Sequence, residues 1–157
     1  MGKDEVFRKE IEKAGDFKFG ANVAKVFDDM VNRSVPFYGE IQRMIAELAG
    51  NHAAEGSYVY DLGCSTGTTL IGMNTMVDRN IRFIGVDDSQ EMLDKCKTKL
   101  TETGFSRPYE LRCADVGKGV RIENASVVVL CPTLQFIRPV YREQVLKNIY
   151  DGLNPGG

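Results

Sequence analysis

Residues 60–67, YDLGCSTG, follow an apolar run and precede a helical pattern. Gly63 and Gly67 lack β-carbons, so the backbone can bend sharply there and a ligand can approach it closely. Ser65 adds a hydroxyl beside the amides expected at a helix start, a place where an anionic or zwitterionic group is welcome. A purely mechanical strand-to-helix turn would also favour glycine. A G-x-G-x-x-G dinucleotide loop does not fit, because Cys64, Ser65 and Thr66 separate the glycines. Gly63–Gly67 also spell G-x-S-x-G, the nucleophile elbow of serine hydrolases. That chemistry needs a histidine downstream of the serine, whereas the single histidine, His52, lies upstream, which leaves Ser65 without a base to activate it.

Two further acids fall where a nucleoside would need them. A second apolar run ends in Asp87 and Asp88, and Asp87 stands about 20 residues past the glycine turn, the spacing at which a carboxylate accepts from both ribose hydroxyls. A free diol suits such a carboxylate and a 2′-phosphate is repelled by it. An acid complementing a helix start is the plainer account of Asp88, but it does not explain two acids in succession. Asp115, followed by Val116, comes after a third run. Three strand-end turns therefore face one crevice: Gly63, Cys64 and Ser65 near an amino-acid end, Asp87 at a ribose, Asp115 near an adenine amino group. Carboxylates suit a sulfonium cation and repel a pyrophosphate, so the expected ligand is S-adenosylmethionine.

The elements that must position these residues alternate as βαβ units. Strands are expected over Tyr58–Leu62, Ile81–Val86, Pro108–Cys113 and Ala125–Cys131; helices over Thr66–Met76, Gln90–Leu100 and Arg142–Leu153. Ser89 is expected to cap the second of these helices, with Met92, Leu93, Cys96 and Leu100 as its core stripe. In the last helix, Val145, Leu146, Ile149, Tyr150 and Leu153 are expected to share the buried side. Two amphipathic helices, Val23–Met30 and Ile41–Leu48, joined by Asn32–Gly39, precede the sheet. The expected class is α/β: a Rossmann-like, mainly parallel sheet with flanking helices, divided into an N-terminal helical cap (1–52) and a nucleotide-binding core (53–157). The closing Asn154–Gly157 turn normally leads into another strand, so the expectation is of a sheet truncated before its last strands.

Composition narrows the function classes. At 157 residues the chain can bury roughly 70% of its unfolded surface. No apolar run approaches the roughly 20 residues of a membrane span, and Met1–Glu12 lacks the features of a secretory signal, so a cytoplasmic protein is expected. The four cysteines are widely spaced, which argues for reduced thiols and no metal site. A net charge of −2 without a basic block disfavours direct nucleic-acid binding.

The sequence resembles the carboxy-S-adenosylmethionine synthases of bacterial tRNA wobble-uridine modification, relatives of the S-adenosylmethionine-dependent methyltransferases. The resemblance rests on residues 26–30 (VFDDM), 33–36 (RSVP) with Tyr38, 60–65 (YDLGCS), 122–130 (IENASVVVL), 133–136 (TLQF) and 149–157 (IYDGLNPGG). It implies an enzyme converting S-adenosylmethionine and prephenate to carboxy-S-adenosylmethionine and phenylpyruvate, by way of a sulfonium ylide that captures carbon dioxide. It also implies a homodimer, and a pocket able to hold S-adenosylmethionine, its carboxylated product or S-adenosylhomocysteine. By position it assigns Gly63, Cys64, Ser65, Asp87, Asp88, Asp115 and Val116 to the nucleoside and amino-acid portions, and Tyr38 to the new carboxylate. Cys131, followed by Pro132, stands where the family has asparagine. The family's carboxylate-binding arginine lies beyond the last residue of this sequence. No catalytic residue is assigned. A small-molecule methyltransferase would use the same core motif; a non-catalytic binding module is the reading from another class.

Overall fold

The computed structural model describes residues 21–157. Met1–Glu12 and the first part of the expected cap, all within residues 1–20, lie outside the described residues. Helices α1 (Ala21–Ser34) and α2 (Tyr38–His52) lead into strand β1 (Tyr58–Leu62), then α3 (Thr68–Met76), β2 (Arg82–Asp87), α4 (Gln90–Glu102), β3 (Tyr109–Cys113), β4 (Ala125–Val129) and α5 (Pro139–Gly152). Short 3-10 turns at Val116–Lys118 and Leu134–Phe136 were not anticipated from the sequence.

The strands form a parallel sheet in the order β3-β2-β1-β4. Because successive side chains of a strand point to opposite faces, the sheet carries two cores. Val59, Phe83, Leu70, Met73, Cys96 and Leu100 belong to the layer under α3 and α4, and Ala49 of α2 joins it. Tyr60, Leu62, Ile84 and Val86 pack on the other face with Val145 and Ile149 of α5. The chain order reverses at β1, so the crevice beyond the carboxyl ends of β1 and β4 is the expected ligand position of such sheets.

Several boundaries shift for local reasons. The two N-terminal helices run longer than their apolar spacing suggested, leaving Val35–Phe37 as their link and placing Tyr38 in the first turn of α2. Helix α3 starts at Thr68 rather than Thr66, because Gly67 at its N-cap takes φ 83°. A β-carbon at Gly67 would lie 2.6 Å from the Cys96 sulfur, so α4 packs too close for any other residue. The expected Ser89 cap is present, its hydroxyl accepting from the Met92 amide at 3.3 Å, and Met92, Leu93, Cys96 and Leu100 are buried. In α5 only part of the expected stripe packs: Val145 and Ile149 are buried, while Leu146 and Tyr150 face outward. The buried seam there follows i, i+4 and is narrower than the apolar stripe. After α5 the chain returns to the outer edge of β4, where the Asn154 amide donates to Ala125 O at 2.7 Å.

Candidate functional site

The carboxyl ends of the strands open into a cavity of about 790 Å³ between the sheet and helix α1. The structure brings every sequence-nominated residue to its wall: Tyr38, Gly63, Cys64, Ser65, Asp87, Asp88, Asp115, Val116 and Cys131. Phe27, Met30 and Val31 of α1 face them across the space, joined by Gln135 and Phe136 from the 3-10 turn after β4.

The glycine turn is fastened to the tip of β2. The amides of Gly63 and Cys64 both donate to Val86 O, at 2.7 and 2.9 Å, and the Ser65 amide donates to Asp87 Oδ2 at 2.9 Å. Gly63 takes φ 83°, and a β-carbon there would overlap the Thr133 side chain, whose hydroxyl donates to Leu62 O at 2.6 Å. Ser65 itself sits at φ 49°, a conformation that costs a non-glycine residue energy and persists only where surroundings enforce it. The amides of Gly63, Cys64 and Ser65 are thus engaged by oxygens at the β2 tip, and the amides of the helix start, which the sequence reading offered to a ligand, lie beyond them from Thr68 onward.

Asp87 is buried and accepts from Ser65 N through one oxygen and from Ser89 N, at 3.0 Å, through the other. Burial pushes its carboxyl above the ordinary value, the two amides pull it back and neighbouring Asp88 pushes it up again. Each oxygen retains a lone pair for a ligand. Asp88 is exposed. Asp115 follows β3 and caps the 3-10 turn Val116–Lys118, with Oδ1 accepting from Gly117 N at 2.8 Å.

One acid missing from the nominated set is Asp61, in β1 beneath the glycine turn. It is 1% exposed, and neither carboxylate oxygen has a hydrogen-bond partner among the described residues. Burial, and secondarily Asp87, pushes its carboxyl up to about 7. Asp61 in turn acts on two cavity-wall groups. Tyr38 is raised to about 12, first by burial and then by Cys131, Asp61 and Asp28; the Cys131 thiol is raised by burial and by Asp61. Both therefore stay protonated at neutral pH. The D-x-G spelling of residues 61–63 marks this acid in the sequence, but only the fold shows that nothing pairs with it. Asp28 was also missed. Burial alone would raise its carboxyl, yet bonds from Thr66 and Lys99 outweigh burial and hold it below the ordinary value.

No lysine, arginine or histidine lies among the described cavity-wall residues. The described wall thus combines Asp87, Asp88 and Asp115 with apolar residues and offers no counter-charge for an anion. Ser65 Oγ makes a long contact, 3.4 Å, to Gly63 O, and His52 closes α2 on the amino-terminal side of β1. Among the described residues the G-x-S-x-G spelling therefore has no histidine beside it.

A family profile described as a methyltransferase domain matches residues 59–157. The chain belongs to that methyltransferase family. Its domain is similar over 100% of the chain, at 50% identity, to a protein of Methylococcus capsulatus named carboxy-S-adenosyl-L-methionine synthase. A protein of the same name from Shewanella piezotolerans is 43% identical over 99% of the chain. The methyltransferase chain spans 65% and 64% of the lengths of these two relatives. Among solved structures, an S-adenosylmethionine-dependent methyltransferase from Clostridium acetobutylicum superposes with a TM-score of 0.61, covering 85% of this chain and 53% of that one, at 22% identity. That likeness establishes the Rossmann-like methyltransferase fold. No described helix is long and apolar enough to cross a membrane, and no cluster of metal-ligating side chains occurs among the described residues.

Proposed function

We propose that the cavity binds S-adenosylmethionine, and that the chain supplies this pocket to a carboxy-S-adenosylmethionine synthase reaction in which prephenate is the second substrate. The observation that carries the binding step is Asp61, a buried carboxylate with both oxygens unpartnered among the described residues, two positions before the glycine turn that lines a cavity whose described wall holds acids and no cation. An isolated buried carboxylate is stabilised by a cation placed against it, and the ligand carries two, an ammonium and a sulfonium. S-adenosylmethionine supplies a methyl group made electrophilic and acidic by the adjacent sulfur cation.

In this reading Asp87 uses its remaining lone pairs for the ribose hydroxyls, while Asp115 and Val116 border the adenine. Asp88 stands beside the sugar. Gly63, Cys64 and Ser65 lie along the amino-acid portion, where missing or small side chains let the ligand meet the backbone. Tyr38, kept neutral, offers a hydroxyl from the α1–α2 cap, and Cys131 belongs to the same wall. The link to tRNA wobble-uridine modification and homodimer formation belong to the same proposal and rest on the resemblance to the synthases; the cap and core division at residue 52 and cytoplasmic residence belong to it too and rest on the helical patterning and composition of the sequence.

A small-molecule methyltransferase is the second reading, and one observation favours it. Prephenate carries two carboxylates, and no described wall residue provides a positive charge for either. The mass of the nucleoside that copurifies with the chain separates the two. A carboxylated sulfonium supports the synthase; S-adenosylhomocysteine alone supports methyl transfer. Absence of any nucleoside, with no calorimetric binding of S-adenosylmethionine, overturns the binding step itself.

A further inference from the structure

Helix α1 supplies a wall of the cavity, yet its apolar attachment to the rest of the molecule is slight: Val23 and Ala24 pack on Met92 of α4, with Phe27 and Met30 beside them. A polar cluster adds to that contact. Asp28 Oδ1 accepts from the Thr66 hydroxyl at 2.5 Å, and Asp28 Oδ2 accepts from Lys99 Nζ at 2.9 Å. The same ammonium donates to Thr68 Oγ1 at 2.8 Å. One turn of α4 earlier, Lys95 Nζ donates to Ala24 O at 2.5 Å. Three segments meet in this cluster: the cap helix, the end of the glycine turn and α4.

We infer that Asp28 is a positioning residue, which clamps α1 onto the glycine turn through Thr66 and Lys99 and thereby sets how long a bound nucleoside is retained. The geometry separates this role from general stability. Thr66 is buried and immediately follows Ser65 in the turn, so the bond from its hydroxyl transmits the placement of α1 directly to residues lining the amino-acid end of the cavity. Lys99 lies half-buried between Asp28 and Thr68, reaching the N-terminal turn of α3 from outside the sheet. None of these bonds takes part in the sheet or in either sheet core. Loss of the clamp therefore frees the cap wall while the sheet, with Asp61 in β1 and Asp87 in β2, stays in place. Charge-assisted bonds are the stronger class of hydrogen bond, and this ion pair is partly sheltered rather than fully solvated, so its contribution exceeds that of a surface pair.

The test rests on the proposed binding site only for the choice of probe, S-adenosylmethionine, and its first measurement needs no ligand. Amide hydrogen exchange in the ligand-free chain should be about tenfold faster across α1 in Asp28→Asn than in the unsubstituted protein, with β1 and β2 unchanged. Equal α1 exchange, or an equal acceleration of α1 and the sheet, overturns the clamp, the second result marking a merely structural role. Stopped-flow dissociation of S-adenosylmethionine should likewise be about tenfold faster in Asp28→Asn and in Lys99→Met, no faster in the double variant, and near normal in Lys99→Arg. Additive effects in the double variant overturn the coupling. Failure of the unsubstituted chain to bind the probe counts against the binding site, and the exchange measurement still decides the clamp.

Discussion

Two neighbouring strand ends treat the same side chain in opposite ways. At the tip of β2, Asp87 accepts two backbone amides and holds the glycine turn closed. Asp61, toward the end of β1, accepts no hydrogen bond from any described residue. The paired carboxylate builds the site; the orphan stores an unfavourable charge there. Strain of that kind is kept only where surrounding structure enforces it, and it weakens the empty fold.

Removing the paired acid should have the largest effect. Asp87→Ala removes the acceptor shared by the Ser65 and Ser89 amides, at about 1–3 kcal/mol for each bond lost. The melting temperature should fall, and S-adenosylmethionine affinity should fall by roughly a hundredfold, since ribose contacts and turn geometry go together. Unchanged affinity in calorimetry removes Asp87 from the site.

Removing the orphan should do the reverse to stability. Between its ordinary value of 3.8 and its folded value of about 7, Asp61 holds its proton more tightly in the folded chain than in the unfolded one. Stability therefore declines as pH rises through that window, and the penalty is complete above about 7. Asp61→Asn should raise stability at pH 8 by roughly 1–3 kcal/mol, with the gain vanishing toward pH 4, while weakening the binding of a cationic ligand. Denaturant melts across that range check the sign. A second signature follows from the same charge: binding a cation draws Asp61 into its ionised form. Calorimetry of the unsubstituted chain near pH 6.5, in buffers of different ionisation enthalpy, should then report proton release that Asp61→Asn lacks.

The contrast between these acids marks where sequence reasoning reaches and where it stops. Asp87 was legible because its role depends on spacing: a strand end, a glycine turn about 20 residues earlier and a helix start just after. The bounds of β1, the Ser89 cap and the stripe on α4 are local in the same sense and appear as expected. Asp61 was visible as a letter of the motif, but its solitude depends on what α2 and α3 fail to bring near it. The Asp28–Lys99 pair spans 71 positions, beyond any periodicity. Ser65 stands out in the sequence for its hydroxyl, and only the folded turn shows that its amide is held by Asp87. Leu146 and Tyr150 were expected inside because spacing reports an apolar stripe and not the width of the surface that receives it.

Ser65 lies between the two acids and should respond least. Its amide, not its hydroxyl, makes the bond to Asp87, and the hydroxyl contributes only the 3.4 Å contact to Gly63 O. Ser65→Ala keeps the amide and keeps a β-carbon at φ 49°, so the turn should retain its shape and stability should change by less than about 0.5 kcal/mol. Affinity for S-adenosylmethionine should drop a few-fold at most, because one neutral hydrogen bond to the ligand contributes roughly 0.5–1.5 kcal/mol. If activity vanished while binding and melting stayed normal, the hydroxyl would be acting as a nucleophile, and a base would have to reach it from residues outside 21–157. If the melting temperature instead fell as far as in Asp87→Ala, the side chain rather than the amide would be what fastens the turn, and the division between a paired acid that builds the site and an orphan that serves it would need redrawing around Ser65.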